Sequence, residues 1–321
     1  MSTIPSPEVE ALAPEAALST LPAKVHRWRD VLHIFTQNRK VSLGLYILLF
    51  FILVAIFGPL IVRGNPNAFS KDVLLPPSPA HWLGTSQTGQ DLFIQVVDGA
   101  RVSISLGLLI GLVSTLLSVL IGLAGGYFMG WIDEVLSLFT NVFLVLPTVP
   151  LAIVLAAFLA YKGPLTIAFV VIVTGWSWSA RILRAQTLSL RNRDFVEAAR
   201  ACGETTWRII FYEILPNEIA IIAAQFLGTV IYAILAETGL EFLGLVDLNT
   251  VSWGTMLYWA QNNDALMLGA WWWFLAPGLC IAVLGAGLAF INFGIDEMAD
   301  PRLNSSSLRK AAKLNKKSTK K

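Results

Sequence analysis

Charge is what this 321-residue sequence has least of: 14% of its residues are Asp, Glu, Lys or Arg, while 55% are hydrophobic and the mean hydropathy is +0.66. A soluble domain carries about 25% charged residues, so a water-facing globule is excluded and long apolar runs must be placed in a bilayer. Cysteine is almost missing. Cys202 falls in a polar segment and Cys280 in a late apolar run, which excludes a bridge between them. His26, His33 and His81 are scattered through the first quarter without ligand spacing, so no metal constellation is expected. There is no phosphate-binding GxxxxGK[ST] run, no paired Cys or His motif and no serine in a nucleophile elbow. Catalysis by this chain is therefore not expected, and any chemistry that drives it belongs on another subunit. No fixed-period repeat or symmetry between halves is visible, which argues against a secondary transporter built from inverted repeats.

What is present is a series of apolar runs. Residues 1–23 are rich in Ala, Pro, Glu and Ser and contain no signal-peptide core, so they read as a polar tail. Lys24, Arg27, Arg29, Arg39 and Lys40 precede a first span at 41–62, about 20 residues and long enough to cross the hydrocarbon. The stretch 63–100, with HWLGTSQTGQDLF at its centre, reads as an external loop with local structure. A second span, 101–130, ends in GLAGGYFMG, whose glycines permit close helix approach. A third, 136–161, is kinked at Pro147 and Pro150, and a fourth occupies 165–180. After the polar segment 181–217 come a fifth span at 219–245, an external stretch at 246–269 and a sixth span at 270–293. The sixth opens with Trp271, Trp272 and Trp273, which read as an interfacial collar. The chain ends in a lysine-rich tail, 296–321, suited to an anionic lipid surface.

Basic residues orient these spans. Five lie in the N-terminal tail 1–40, six in 181–217 and eight in 296–321, whereas only Arg63, Lys71, Arg101 and Lys162 lie elsewhere. Positive charge marks the cytoplasmic side, so an all-α membrane protein with six spans and both termini inside is expected. The even number of spans and the charge asymmetry agree independently.

The segment 181–217 is the one long polar interruption in the second half of the chain, and it falls on the inside. Asp194 is placed to cap a helix from Phe195 to Cys202, with Glu197 in its first turn, where a carboxylate favours the positive end of the helix dipole. Glu197, Ala198 and Ala199 form helix strongly and carry little bulk, so the helix can sit in a cleft of a partner. Gly203 permits the left-handed turn that ends it. Thr205 or Thr206 can start a second helix, and Pro216, after Leu215, can open the fifth span as a first-turn residue.

These residues resemble the coupling loop of ABC importer permeases, in which Glu-Ala-Ala is followed by three residues, Gly, nine residues and Ile-x-Leu-Pro. Glu197, Ala198, Ala199, Gly203, Leu215 and Pro216 match, while Glu213 stands at the Ile position with Ile214 one step later. HWLGTSQTGQDLF and GARVSISLGL are similar to the lead-in to the membrane domain of the dipeptide, oligopeptide and nickel permease group: Gly84, Thr85, Gly89, Asp91, Gly99 and Arg101 match, and Gln90 replaces a usual Arg. ILAETGLEFLGL, SWGTML and NFGIDEMADPRL resemble the same group's late segments, so the resemblance covers about residues 40–303.

The resemblance implies the type I ABC importer permease fold, with a first helix at 41–62 and a five-helix core at 101–295 that contains the coupling loop 181–217. It implies a second related permease subunit, two cytoplasmic ABC ATPases holding Mg-ATP, and an extracytoplasmic binding protein, in a bacterial or archaeal plasma membrane. The chain itself would bind no cofactor. The solute would be a peptide or a similar small molecule such as a nickel chelate, oligosaccharide or opine. Glu237 and Glu241, four apart on one helical face, have two readings: they line the pathway, where a peptide's amino end would meet them, or they pack against the 246–269 stretch. Two other functions compete, an ion-coupled secondary transporter working alone and a membrane scaffold that transports nothing. The first lacks a mid-membrane acid cluster.

Overall fold

The computed structural model describes residues 39–299 of the chain and is helical apart from a single Thr85–Asp91 bridge among the described residues. The tails expected at 1–40 and 296–321 fall almost wholly outside these residues. In chain order the helices are α1 (Arg39–Ile61), α2 (Leu92–Phe128), α3 (Gly130–Val145), α4 (Thr148–Phe158), α5 (Pro164–Gly175), α6 (Ser177–Arg191), α7 (Asp194–Ala201), α8 (Thr206–Phe242), α9 (Trp253–Asn262) and α10 (Trp271–Ala299). Four of them, α1, α2, α8 and α10, are long and apolar enough to cross a membrane alone. The pairs α3–α4 and α5–α6 qualify only together, which makes up to six spans among the described residues.

The largest departure from the sequence expectation is at the third span, which is broken and not merely kinked. Its two halves meet at 91° around Leu146 and Pro147. Pro147 cannot donate to the Phe143 carbonyl, so the ladder stops there, and Pro150 is tolerated because it lies in the first turn of α4. The fourth span is bent by 41° at Trp176 and runs on as α6 to Arg191, eleven residues past its expected end at 180. α2 likewise begins nine residues before its expected start at 101, because Asp91 caps it, accepting from the Phe93 N–H at 2.8 Å and the Ile94 N–H at 3.3 Å.

α2 is the centre of the fold and packs on α1, α6 and α8. The expected close approach at its C-terminal glycines is present: a methyl group added at Gly122 or Gly126 would run into Leu183, Ala180, Thr187 or the Arg184 backbone of α6. Gly107 and Gly111 play the same part against Ile234 and Val230 of α8. Small residues let helix backbones approach where no hydrophobic effect drives association. The tryptophan collar is only partly such: Trp271 is exposed, Trp272 lies half-buried with its Nε1 donating to the Thr85 carbonyl at 3.4 Å, and Trp273 is buried in the core beneath α9. Successive helical residues point about 100° apart, so only one of the three can stay at the rim.

Candidate functional site

The polar segment folds as a hinge-like unit between α6 and α8. α7 starts one residue earlier than Asp194 capping would require: Arg193 holds the extended N-cap position, and its carbonyl accepts from the Val196 N–H at 2.9 Å and the Glu197 N–H at 3.1 Å. Asp194 is instead the first helical residue, where with Glu197 it still faces the positive end of the dipole. At the other end Cys202 is the C-cap and Gly203 has φ +81°. The Gly203 N–H donates to the Arg200 carbonyl at 3.0 Å and the Glu204 N–H to the Ala199 carbonyl at 3.1 Å. This is the paired pattern of a Schellman cap, which needs a residue at ease with positive φ.

One face of α7 is anchored and the other is open. Val196 is fully buried in a cluster with Leu123 and Tyr127 of α2 and Ile209, Ile210 and Ile214 of α8, and Ala199 and Leu215 pack at its margin. Glu197, Ala198 and Gly203 are exposed, and no atom lies within 4 Å of a methyl group built on Gly203. Two guanidiniums hold the base of the unit: Arg191 of α6 and Arg200 of α7 stand over the Tyr127 ring at 5.8 and 5.5 Å, each contact worth about 0.5–1 kcal/mol where solvent reaches. Sequence reasoning missed this clamp because Tyr127 is far from both arginines in the chain.

α8 opens with one turn at Thr206–Arg208, widens into a π segment at Ile209–Ile214 and becomes regular at Leu215, with Pro216 in the first turn of that regular part. In a π turn residues five apart are neighbours, and Ile209 and Ile214, five apart, are both buried. The turn therefore accommodates the displaced motif residue: Ile214 fills the cluster and Glu213 stays half-buried at its edge.

Two further polar ties brace α6, and neither was legible as a pair. Arg184 Nε and Nη2 donate to the two oxygens of Asp133 at 2.5 and 2.6 Å, joining α6 to the start of α3. Thr187 Oγ1 lies 2.8 Å from Glu218 Oε1 inside the α6–α8 contact, and Glu218 is fully buried. A lone acid directly after Leu-Pro-Asn was the available signal.

Glu237 and Glu241 lie far from this unit, about 32 and 38 Å along α8 from Pro216 at 1.5 Å per residue. Both are buried. Ser252 Oγ donates to Glu241 Oε2 at 2.5 Å, and Ser252 also starts α9 through a reciprocal cap with Thr255. Gly254 lies so close to Glu241 and Thr238 that any side chain there would collide. Trp253 fills the space beside them and donates from Nε1 to the Val96 carbonyl of α2 at 3.0 Å. The 246–269 stretch is thus packed onto the protein through α9, which lies between α2, α8 and α10. In this conformation the two acids are enclosed by that packing.

On the loop before α2, Gly84 and Gly89 both have positive φ, +77° and +75°, and frame the bridge between Thr85 and Asp91. Gln90 Oε1 accepts from Gln95 Nε2 at 3.0 Å. His81 Nδ1 lies 2.7 Å from Asp91 Oδ2, and this bond, aided by Asp72, raises the imidazole pKa above its usual value against a smaller desolvation effect. Among the described residues no group of acids, cysteines and histidines is arranged to hold a metal ion.

Comparison with known proteins agrees with this architecture. Residues 114–305 match the family described as binding-protein-dependent transport system inner membrane component, and residues 26–77 match the N-terminal TM domain of oligopeptide transport permease C. The chain is 34% identical over 281 residues to the oligopeptide transport system permease protein OppC of Bacillus subtilis (strain 168), covering 86% of this chain and 90% of the relative. It is 35% identical over 275 residues to the dipeptide transport system permease protein DppC of the same organism, covering 83% of each. OppC of Mycobacterium tuberculosis (strain CDC 1551 / Oshkosh) is 32% identical over 284 residues, 87% of this chain and 95% of that protein. With its apolar helices, the chain is a multi-pass protein of the bacterial inner membrane. It belongs to the binding-protein-dependent transport system inner membrane component family, whose members are transport permeases.

Proposed function

We propose that this chain is one of two related permease subunits of an ATP-driven peptide importer, with α7 as the helix through which the energy arrives. In this reading the chain crosses the membrane six times with both termini in the cytoplasm, and the helical core follows a separate first span. An extracytoplasmic binding protein delivers the solute, and two cytoplasmic ABC ATPases bind and hydrolyse Mg-ATP. Their closure draws the two coupling helices together and turns the pathway from inward- to outward-facing.

The observation that carries the proposal is the two-sidedness of α7: its Val196 side is fixed to α2 and α8, while Glu197 and Ala198 are open on a surface of small residues. A helix of that kind admits a partner closely and passes displacement directly to the long helices behind it. The direct attachment of α6 and α8 gives that displacement two routes into the membrane. Peptide as the solute is supported by the peptide systems named for the relatives.

The test is Glu197→Lys in the reconstituted four-component system with its binding protein. The variant is expected to insert normally, since exposed substitutions change stability by about 0.5 kcal/mol or less, but to lose at least tenfold in peptide uptake per ATP hydrolysed. Uptake at the wild-type rate and stoichiometry would sink the coupling role of this surface. Uptake driven by an ion gradient without the ATPases would instead establish a secondary transporter.

A further inference from the structure

The two helix breaks face a common cavity of about 700 Å³. Residues 143–148 at the α3–α4 break and Thr174, Gly175, Ser177, Trp178 and Ser179 around the α5–α6 break line it, together with one side of α8 and Asn292 of α10. On α8 the lining residues include Gln225, Gly228, Thr229 and Tyr232, which are spaced i, i+3, i+4 and i+7 and so form one helical stripe. The opposite side of α8 carries Leu227, Val230 and Ile234, buried against α2. A polar stripe on an otherwise apolar span therefore faces the cavity.

Its position along each element is central. Gly228 is twelve residues beyond Pro216, about 18 Å along α8, roughly half of a 30 Å hydrocarbon core. Both breaks likewise fall near the middle of their helix pairs. Irregular backbone at that depth is tolerated only where it is buried in protein or borders a water-filled cavity, and here both breaks border this one.

The chemistry of the lining is specific in one respect: it hydrogen-bonds without carrying charge. Among the described residues no Asp, Glu, Lys, Arg or His lines the cavity. Ser179 Oγ donates to Gln225 Oε1 at 2.9 Å, which fixes the amide and leaves its NH2 group for another acceptor. Asn292 Oδ1 is a buried acceptor without a partner among the described residues. Donors, acceptors and the aromatic rings of Phe143, Trp178 and Tyr232 suit a chain of amides and varied side chains. A fixed charge would retain solutes of opposite sign and repel those of like sign.

We infer that this cavity is the segment of the translocation path contributed by this chain, a transient subsite that takes the peptide main chain through neutral hydrogen bonds and does not sort peptides by side-chain charge. The inference rests on the importer reading above and adds the location and selectivity of the path. It also moves the path away from Glu237 and Glu241, which are packed behind α9.

Gly228 offers the test, because no atom lies within 4 Å of a methyl group built on it. In the reconstituted complex, uptake of trilysine and triglutamate is compared for wild type, Gly228→Asp and Gly228→Asn, all with the same binding protein. The Asp variant is expected to shift the ratio of the two rates by at least tenfold, and the Asn variant to leave it at the wild-type ratio. An unchanged ratio with Asp overturns the inference. If the Asp variant does not assemble, Gly228→Cys in a chain with Cys202 and Cys280 replaced by alanine decides: modification by a charged methanethiosulfonate, slowed by transported peptide, supports the subsite, and no modification in either nucleotide state overturns it. A wild-type complex that assembles but imports no peptide would instead count against the importer reading.

Discussion

α7 and the far end of α8 treat acidic residues in opposite ways. On α7, Glu197 is left exposed on a helix whose other side is anchored, whereas toward the end of α8 Glu237 is fully buried and Glu241 is closed in by Ser252 and Gly254 at the start of α9. An exposed acid costs little to place and is available to a partner. A buried one has lost its hydration and depends on what surrounds it, as Glu241 does on the Ser252 hydroxyl. The difference separates a helix with one open face from a region closed by packing.

The comparison breaks most visibly at Gly254. Gly254→Val would push α9 off Glu241 and the Thr238 backbone, and overpacking of this kind costs about 1–3 kcal/mol, with the Glu241–Ser252 bond at risk as well. A lowered unfolding temperature in detergent, measured by intrinsic fluorescence of the tryptophans, is the expected outcome; wild-type stability would contradict tight packing at Gly254. A smaller loss is expected at the end of α7. Gly203→Val meets no neighbour, so only its positive φ opposes the change, about 1–2 kcal/mol for a residue with a Cβ. That cost should show as fraying of α7 in hydrogen exchange, with the unfolding of the membrane helices unmoved.

The smallest effect concerns a third charged site, His81 beside Asp91. Its pKa is raised in the folded protein, so its contribution is fully present below the unfolded value of about 6.5 and is lost as pH rises through the higher folded value. Hydrogen exchange around the start of α2 should quicken over that interval, and His81→Gln should remove the pH dependence. An exchange rate that slows with rising pH, after correction for intrinsic chemistry, would contradict the assignment.

Much of α7 was legible in the sequence because its signals are local. Glu197 to Gly203 is a short helix and its stop, and the positive φ of Gly203 needed only the turn chemistry of glycine. The break at Pro147 was visible as a kink, but its 91° angle depends on what α4 packs against, which no local pattern contains. Trp253 shows the same limit. In the sequence it belongs to a polar stretch between spans, yet the reciprocal cap at Ser252 and the fit of Gly99 and Gly254 bring it into the core. The neutral cavity was illegible for a related reason: Thr148, Ser177, Gln225 and Asn292 are unremarkable singly and become a surface only when four helices meet.

The most direct measurement uses the chain's own Cys202, exposed at the C-cap of α7, after replacement of Cys280 by alanine. In the assembled complex with single cysteines placed on each ATPase, a short bifunctional maleimide should join Cys202 to an ATPase subunit, and an impermeant maleimide added only to the extracytoplasmic side should leave it unlabelled. Labelling from the extracytoplasmic side, or crosslinking to the binding protein in place of an ATPase, would contradict α7 as the point where ATP-driven motion enters the permease.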